Sequence, residues 1–389
     1  MGPAAGILER LQEGALPASV GGVILGATAT LMLATTGRLT GLSGIFDGAF
    51  SRNRGQGWKV MFLSGFTLGS VGGGILYPAG LDQTGSPAIS LAGLVTSGLL
   101  VGLGSRLGNG CTSGHGLCGL PRLSRRSLAA TLTFLTSGVA TASVMATWNA
   151  HGGEGDGRWA EISSSPEVPS VAVRYSALAT AAMSAVLTLV RKAERANITA
   201  HLATFICGAS FAGGLVISGM ARRSKVANFL ALRPDSWDPA LLLVLGFGVM
   251  TTLVGFPLVT RTLAAPACHR MVSPLSEDKS WRGPYGPQAL KFEIPMSTEL
   301  DLPLILGAWT FGVGWGAGGL CPGPAVVASV HGLPGPALYF LPSMLVGMKL
   351  AAPLKRFDAL PHPNWLAAGA RKTDPGGAGS PGAGSKKSE

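Results

Sequence analysis

Long apolar segments alternate with short polar stretches along most of the chain. Nine segments approach the length of about 20 residues that a helix needs to cross a bilayer: 20–38, 59–77, 88–105, 127–148, 170–190, 201–220, 239–260, 302–315 and 335–350. The segment that begins at Leu302 is short, which predicts that its far end bends inside the membrane. The pattern therefore predicts an all-α polytopic membrane protein with about nine transmembrane helices.

Composition supports this class. Hydrophobic residues make up 47% of the chain and charged residues only 13%, about half of what a soluble domain carries. The net charge of +11 would suggest nucleic acid in a soluble protein. Here the basic residues lie in short loops between apolar segments, where they act as topology signals, so we predict no nucleic-acid partner. The lipid bilayer is the expected environment, with the cell membrane as the expected location.

The apolar segments are arranged as a repeat. Residues 42–45 (Leu-Ser-Gly-Ile) resemble residues 217–220 (Ile-Ser-Gly-Met), and in each half a later segment ends in a glycine turn that carries a cysteine, Cys111 or Cys321. An odd number of segments separates equivalent positions, which predicts two inverted repeats with turns that meet near the membrane midplane, an hourglass-like arrangement. The predicted divisions are an N-terminal segment (1–19), the first repeat (20–168), a connecting helix (169–199), the second repeat (200–352, with a polar loop at 266–300) and a disordered tail (353–389).

The two turns are the candidate functional site. Irregular backbone is tolerated at membrane depth only inside protein or beside a water-filled cavity, and a helix that begins there points its free N–H groups at an anion. Thiols are soft and polarizable, so cysteines favour an anion with a terminal sulfur, whereas sulfate or phosphate would favour arginine and hydroxyl donors. The candidate binding residues are Asn109, Gly110, Cys111, Thr112, Ser113, Gly114, His115, Gly116, Cys321, Pro322 and Gly323.

Other interpretations stay open at this point. Cys111, His115, Cys118 and Cys321 could together bind a soft metal, although the tight cysteine spacing of strong zinc motifs is absent. A membrane enzyme could instead move sulfur covalently between Cys111 and Cys321. His115 could bond backbone carbonyls and hold the turn, rather than contact a ligand. The interpretation that we favour is a non-enzymatic transporter without a cofactor or a resident metal.

The motif Gly-Asn-Gly-Cys-Thr-Ser-Gly-His-Gly at 108–116, with Gly-Leu-Cys-Pro-Gly-Pro at 319–324, resembles the YeeE/YedE family of sulfur transporters. The resemblance implies a nine-span hourglass that takes up thiosulfate. It also implies that thiosulfate passes between cysteines through a narrow centre, with Cys111 and Cys321 in the relay positions. A cytosolic sulfur-acceptor protein is a further partner that such a transporter would serve.

The sequence departs from that family at one position. Members usually have a third relay cysteine after the first span, where this chain has Thr40. A hydroxyl can donate a hydrogen bond but is a harder partner for sulfur than a thiol. The region around residues 218–232 also resembles the partner subunit of split bacterial relatives, so we interpret the chain as a fusion of two half-transporters.

Overall fold

The computed structural model describes residues 3–50, 57–82, 90–150, 198–233, 236–263, 266–267, 292–295, 297, 299–333 and 335–357. All regular structure in these ranges is helical, without a strand. The α-helices are α1 (Pro3–Thr36), α2 (Leu42–Ala49), α3 (Gly57–Leu76), α4 (Leu91–Leu107), α5 (Arg125–Ala150), α6 (Ile198–Ile217), α7 (Arg223–Leu230), α8 (Ala240–Thr262), α9 (Leu302–Gly318), α10 (Pro322–Val330) and α11 (Leu341–Phe357). Short π-helical and 3-10 segments lie at Pro78–Gly80, Thr112–Leu117, Leu120–Arg122 and Pro336–Phe340.

The fold is that of an all-α polytopic membrane protein, as predicted. Within the described ranges, eight helical stretches are long and apolar enough to cross a membrane. The ninth predicted span, 170–190, lies outside the described residues, as does the predicted tail after residue 357. Residues 353–357 belong to α11 and not to a disordered tail as predicted, because the helix continues through Pro353. The first helix begins at Pro3, well before the predicted span, and it continues through Pro17 without a break.

The described helices repeat in the same order in the two halves of the chain. A long helix is followed by an eight-residue helix, a second long helix, a 17-residue helix, a short helical segment of six or nine residues, and a last helix of 26 or 17 residues. Residues with positive φ also occur in matching places: Gly37 (75°) and Gly219 (71°) follow the first helices, and Asn109 (59°) and Gly319 (65°) follow the 17-residue helices. Leu123 and Gly332 (54° and 82°) precede the last helices, so all six positive-φ residues of the described ranges form three pairs.

This order corrects one detail of the sequence repeat. Residues 42–45 form the first turn of α2, whereas residues 217–220 form the turn that ends α6. The counterpart of α2 is therefore α7, and the second residue of α2, Ser43, corresponds to Ser224. The two similar four-residue stretches thus occupy different structural positions, because four residues are too few to define a register.

Helices of one half pack against helices of the other half. α1 packs against α8 while α3 packs against α6, and α4 lies between α9 and α11 as α9 lies between α4 and α5. Small residues bring these backbones close together. A Cβ atom at Gly65 or Gly69 would overlap the carbonyl oxygen of Phe205 or Ala209 on α6, and one at Gly102 would overlap that of Met344 on α11. Gly65, Gly69 and Gly102 are thus points of direct helix–helix contact.

A charged contact fixes the start of α9. Asp301 caps this helix by accepting a hydrogen bond from the Leu304 N–H (2.9 Å), and it forms a two-point ion pair with Arg126 at the start of α5 (2.7 and 3.0 Å). Burial alone would raise the pKa of the Asp301 carboxyl, but the Arg126 and Leu304 hydrogen bonds bring it below its usual value. The ion pair therefore holds the start of α9 against the start of α5, which follows the first turn.

Candidate functional site

The first turn reverses the chain after α4. The helix ends at Leu107, Asn109 takes a left-handed conformation (φ 59°), and the Gly110 N–H donates back to the Ser105 carbonyl (2.9 Å). Asparagine is one of the few residues with a side chain that adopt this conformation without large strain. Cys111 then follows in an extended conformation, directly before the π-helical segment Thr112–Leu117.

The second turn repeats this geometry with different residues. Gly319 is left-handed (φ 65°) two positions before Cys321, as Asn109 is two positions before Cys111. Cys321 is again extended and is followed by a helix, α10, with Pro322 at its first position. Proline suits that position because the first N–H groups of a helix have no partner within it. In both turns the N–H group four residues after the cysteine donates to the cysteine carbonyl, at 2.9 Å from His115 and 3.0 Å from Ala325.

The two turns meet at Thr112 of the first and Cys321 of the second. The Thr112 hydroxyl donates to the Cys321 sulfur at 3.8 Å, and the Cys111 sulfur lies 3.3 Å from the Ser113 hydroxyl. Both sulfurs are buried, with Cys111 1% and Cys321 4% exposed, and both are free thiols. Each thiol therefore lies against a hydroxyl that comes from the first turn.

Ser113 also links the turn to α2. Its Oγ accepts a hydrogen bond from the Leu42 N–H (3.1 Å), the first N–H group of that helix. Because a hydroxyl has one hydrogen and two lone pairs, the Ser113 O–H remains able to donate to the Cys111 sulfur. One side chain thus caps α2 and contacts the thiol.

His115 uses both ring nitrogens inside the protein. Nε2 donates to the Gly108 carbonyl (3.0 Å), which leaves Nδ1 to accept from the Ser127 hydroxyl (3.2 Å) in the neutral ring. The ring also lies against Gly110, where an added Cβ would meet it. These contacts connect the end of α4 to the start of α5 and hold the turn in shape.

The four-ligand metal site considered from the sequence is not assembled. No group of three or more histidine, cysteine or acidic side chains able to bind a metal occurs in the described ranges. The His115 ring is engaged with Gly108 and Ser127, and the Cys118 sulfur lies 3.8 Å from the Thr40 carbonyl, to which it donates. Residues close in sequence point in different directions because the π-helical turn separates them.

Thr40 lies beside the first turn, where its carbonyl accepts from the Cys118 thiol. The residue is fully buried, and its hydroxyl has no hydrogen-bond partner within the described structure. The Cys118 thiol is its neighbour, and the Cys118 carbonyl in turn accepts from Arg122 Nε (2.9 Å). A thiol and an unpaired hydroxyl thus lie together on the α2 side of the turn.

The remaining predicted site residues are prolines and glycines, which have no polar side chain. Pro322 and Gly323 are buried, and a Cβ atom at Gly323 would meet the side chains of Leu42 and Leu215. Gly114 has open space where a side chain would lie, whereas one at Gly116 would approach Leu245. The second turn is therefore apolar, and nearly all polar groups of the site belong to the first turn.

A cavity of about 80 Å³ opens beside the first turn. Its lining consists of residues from α2, the end of α4 and α11: Ser43, Gly44, Asp47, Ser105, Arg106, Asn109 and Met348. Asp47 pairs with both Arg106 (3.4 Å) and Lys349 (3.2 Å). Apart from Asn109 these residues were not predicted as site residues, because no motif marks them and only the packing of three helices brings them together.

The sequence matches two sets of known proteins. Residues 199–361 match the model of a family of unknown function (DUF6691). A protein of Xylella fastidiosa strain Temecula1, described as a probable transporter, is 39% identical over 130 residues, which are 32% of this chain and 91% of the relative. A second protein with that description, from strain 9a5c, is 33% identical over 141 residues, which are 36% of this chain and 82% of the relative.

These matches cover most of each relative, and they agree with the eight apolar helices of the described ranges. The relatives are described as probable transporters, and the described fold of this chain is that of a multi-pass membrane protein. The chain is thus an integral membrane protein that belongs to the family of these probable transporters.

Proposed function

We propose that this protein transports a sulfur-containing inorganic anion, with thiosulfate as the first candidate, between the two cysteine turns. The observation that carries the proposal is the contact of Thr112 Oγ1 with Cys321 Sγ at 3.8 Å. It joins the two turns at a point where both thiols are buried and free. The resemblance to the YeeE/YedE family points to the same substrate.

The chemistry of the thiols supports a sulfur anion over a harder one. Thr112 donates to the Cys321 sulfur, and Ser113 can donate to that of Cys111. Sulfur that accepts a hydroxyl hydrogen keeps its own S–H as a donor. The two S–H groups can then form S–H···S contacts with a terminal sulfur, while the substrate passes from one to the other without a covalent step.

The other named residues of the first turn have supporting roles in this proposal. Asn109, Gly110, Gly114 and Gly116 shape the backbone, and His115 holds the turn through Gly108 and Ser127. Thr40 supplies a hydroxyl at the position where the family has its third relay cysteine. At this point of the relay the substrate would accept a hydrogen bond from an O–H group instead of an S–H group. Pro322 and Gly323 begin the helix whose N-terminus favours an anion.

We infer that the halves with matching helices, 20–168 and 200–352, are inverted repeats joined through 169–199, with 1–19 and 353–389 as terminal segments. The family match at 199–361 falls on the second half, and each relative matches about a third of this chain. Both facts support a fusion of two half-size units. We further infer that the transporter would deliver sulfur to a cytosolic acceptor protein.

Uptake of labelled thiosulfate into proteoliposomes tests the proposal. Cys111→Ala and Cys321→Ala should each abolish uptake, because each removes one of the two thiol donors. Cys207→Ala is the matched control, since Cys207 is equally buried but lies on α6, and it should leave uptake intact.

Full uptake by either turn variant would contradict the relay. A persulfide on Cys111 together with release of sulfite during turnover would favour the sulfur-transferase alternative, because transfer of the terminal sulfur of thiosulfate to the thiol leaves sulfite. Metal that co-purifies and is lost in both cysteine variants would favour the soft-metal alternative.

A further inference from the structure

The start of α2 leaves hydrogen-bond donors without partners beside the cavity. The first three N–H groups of a helix have no partner within it; here Leu42 donates to Ser113, and the first intrahelical bond runs from Ile45 to Gly41. Ser43 is 5% exposed, and its N–H and hydroxyl make no hydrogen bond to any described residue. Ser43 and Gly44 both line the cavity.

The other half shows what such a helix start binds in this fold. α7 is the counterpart of α2, and its first residues hold the Asp82 carboxylate. Asp82 accepts from the N–H of Arg223 (2.6 Å) and from both the N–H and the hydroxyl of Ser224 (3.4 and 2.6 Å). Ser224 occupies the same helix position as Ser43. A carboxylate of the protein thus binds the helix start in one half, whereas in the other half only the first N–H group has a partner among the described residues, the Ser113 hydroxyl.

The charges around the start of α2 favour an anion. Arg106 lines the cavity and is 45% exposed. The carboxylate of Asp47 also lines it, but this single negative charge is shared between Arg106 and Lys349. The positive end of the α2 dipole adds to the remaining positive charge.

We propose that the N-terminus of α2, with the Ser43 hydroxyl and Arg106, is a docking site for the oxygen atoms of a sulfur oxyanion at the mouth of the pathway. The inference rests on the proposed function for its ligand. Hard donors such as N–H, O–H and guanidinium bind oxygen, so this site recognises the oxygens of the anion while the thiols recognise its sulfur. Ser113 connects the docking site to the Cys111 thiol, because it caps α2 and its hydroxyl lies 3.3 Å from the Cys111 sulfur.

Equilibrium binding of thiosulfate and of sulfate to the purified full-length protein tests the site. The experiment uses the wild type and the Cys111→Ala/Cys321→Ala double variant, so that anion binding at the thiols does not obscure binding at the docking site. Both anions should bind the double variant, because the docking site contacts oxygen only. Ser43→Ala and Arg106→Gln should each raise Kd about tenfold, as expected for a lost hydrogen bond to a charged group.

Ser224→Ala is the matched control, because its site is already filled by Asp82, and it should leave Kd unchanged. Arg106→Gln keeps the test decisive if Ser43→Ala fails to fold, since the Arg106 side chain is half-exposed. Absence of anion binding in the double variant, or unchanged Kd in both mouth variants, would overturn the docking site. Binding that depends on Ser43, in a protein that takes up no thiosulfate, would uphold the site and reject the proposed function.

Discussion

At the scale of single residues, hydroxyl groups distinguish the two cysteine turns. Thr112 and Ser113 belong to the first turn, yet their hydroxyls contact the sulfurs of both turns. The second turn has Pro322 and Gly323 in the equivalent places, which offer no side-chain donor. Both thiols therefore contact hydroxyls from two adjacent residues of one turn.

The first residue-scale prediction concerns Thr112. Thr112→Val keeps the shape but removes the hydrogen bond to Cys321, which should lower thiosulfate uptake about fivefold, the equivalent of a net hydrogen bond of about 1 kcal/mol. Thr112→Ser retains the hydroxyl and should retain most of the uptake. The measurement is the initial uptake rate in proteoliposomes at matched protein content. Equal rates for the valine and serine variants would show that the hydroxyl has no part in the relay.

At the scale of helices, close backbone contacts set the positions of the turns. α3 and α6 approach through Gly65, Gly69 and Gly208, where a Cβ atom would overlap a backbone carbonyl of the facing helix. At these glycines the backbones of the two helices are so close that there is no room for a side chain. The same helices support α10, which packs against α3 and α6.

This packing predicts different outcomes for two glycines of α3. Gly69→Leu should destabilise the protein by about 3 kcal/mol or more, because the side chain would force α3 away from Ala209. Gly72→Ala is the control: among the described residues, no atom outside the neighbouring backbone of α3 lies within 4 Å of its added Cβ, and alanine favours a helix over glycine by about 1 kcal/mol. Thermal unfolding in detergent measures both. A Gly69→Leu protein as stable as the wild type would contradict the described helix contact.

At the scale of the whole molecule, each half depends on the other. α1 packs against α8 and α3 against α6, so the first helix of each half is covered by the second long helix of the opposite half. The start of α9 is also tied to α5 through Asp301 and Arg126. Neither half covers these surfaces by itself.

This mutual packing predicts that the chain can be divided. Two polypeptides, 1–168 and 169–389, should assemble when co-expressed and should co-purify through a tag on either one. A variant pair with Gly69→Leu in the first polypeptide should lose co-purification, because the α3–α6 contact crosses between the halves. Stable, separately purified halves without association would argue against the interleaved arrangement.

The sequence by itself determined the class of the protein and its central motif. Apolar segments of bilayer length predicted the membrane helices, and the glycine and cysteine spacing marked both turns around Cys111 and Cys321. These features are local, because hydropathy, segment length and glycine content act within about 20 residues. The sequence also indicated the repeat, but it aligned residues 42–45 with the wrong segment, since four letters carry no structural register.

Only the tertiary structure decided which side chains meet. The Thr112–Cys321 contact joins residues 209 apart in sequence, and the Asp82–Ser224 contact joins residues 142 apart. The equivalence of Ser43 and Ser224, one open to a cavity and one bound to a carboxylate, follows from the matching positions of α2 and α7. Such pairings depend on how whole helices are placed relative to one another, which is fixed by backbone contacts at glycines far from the site.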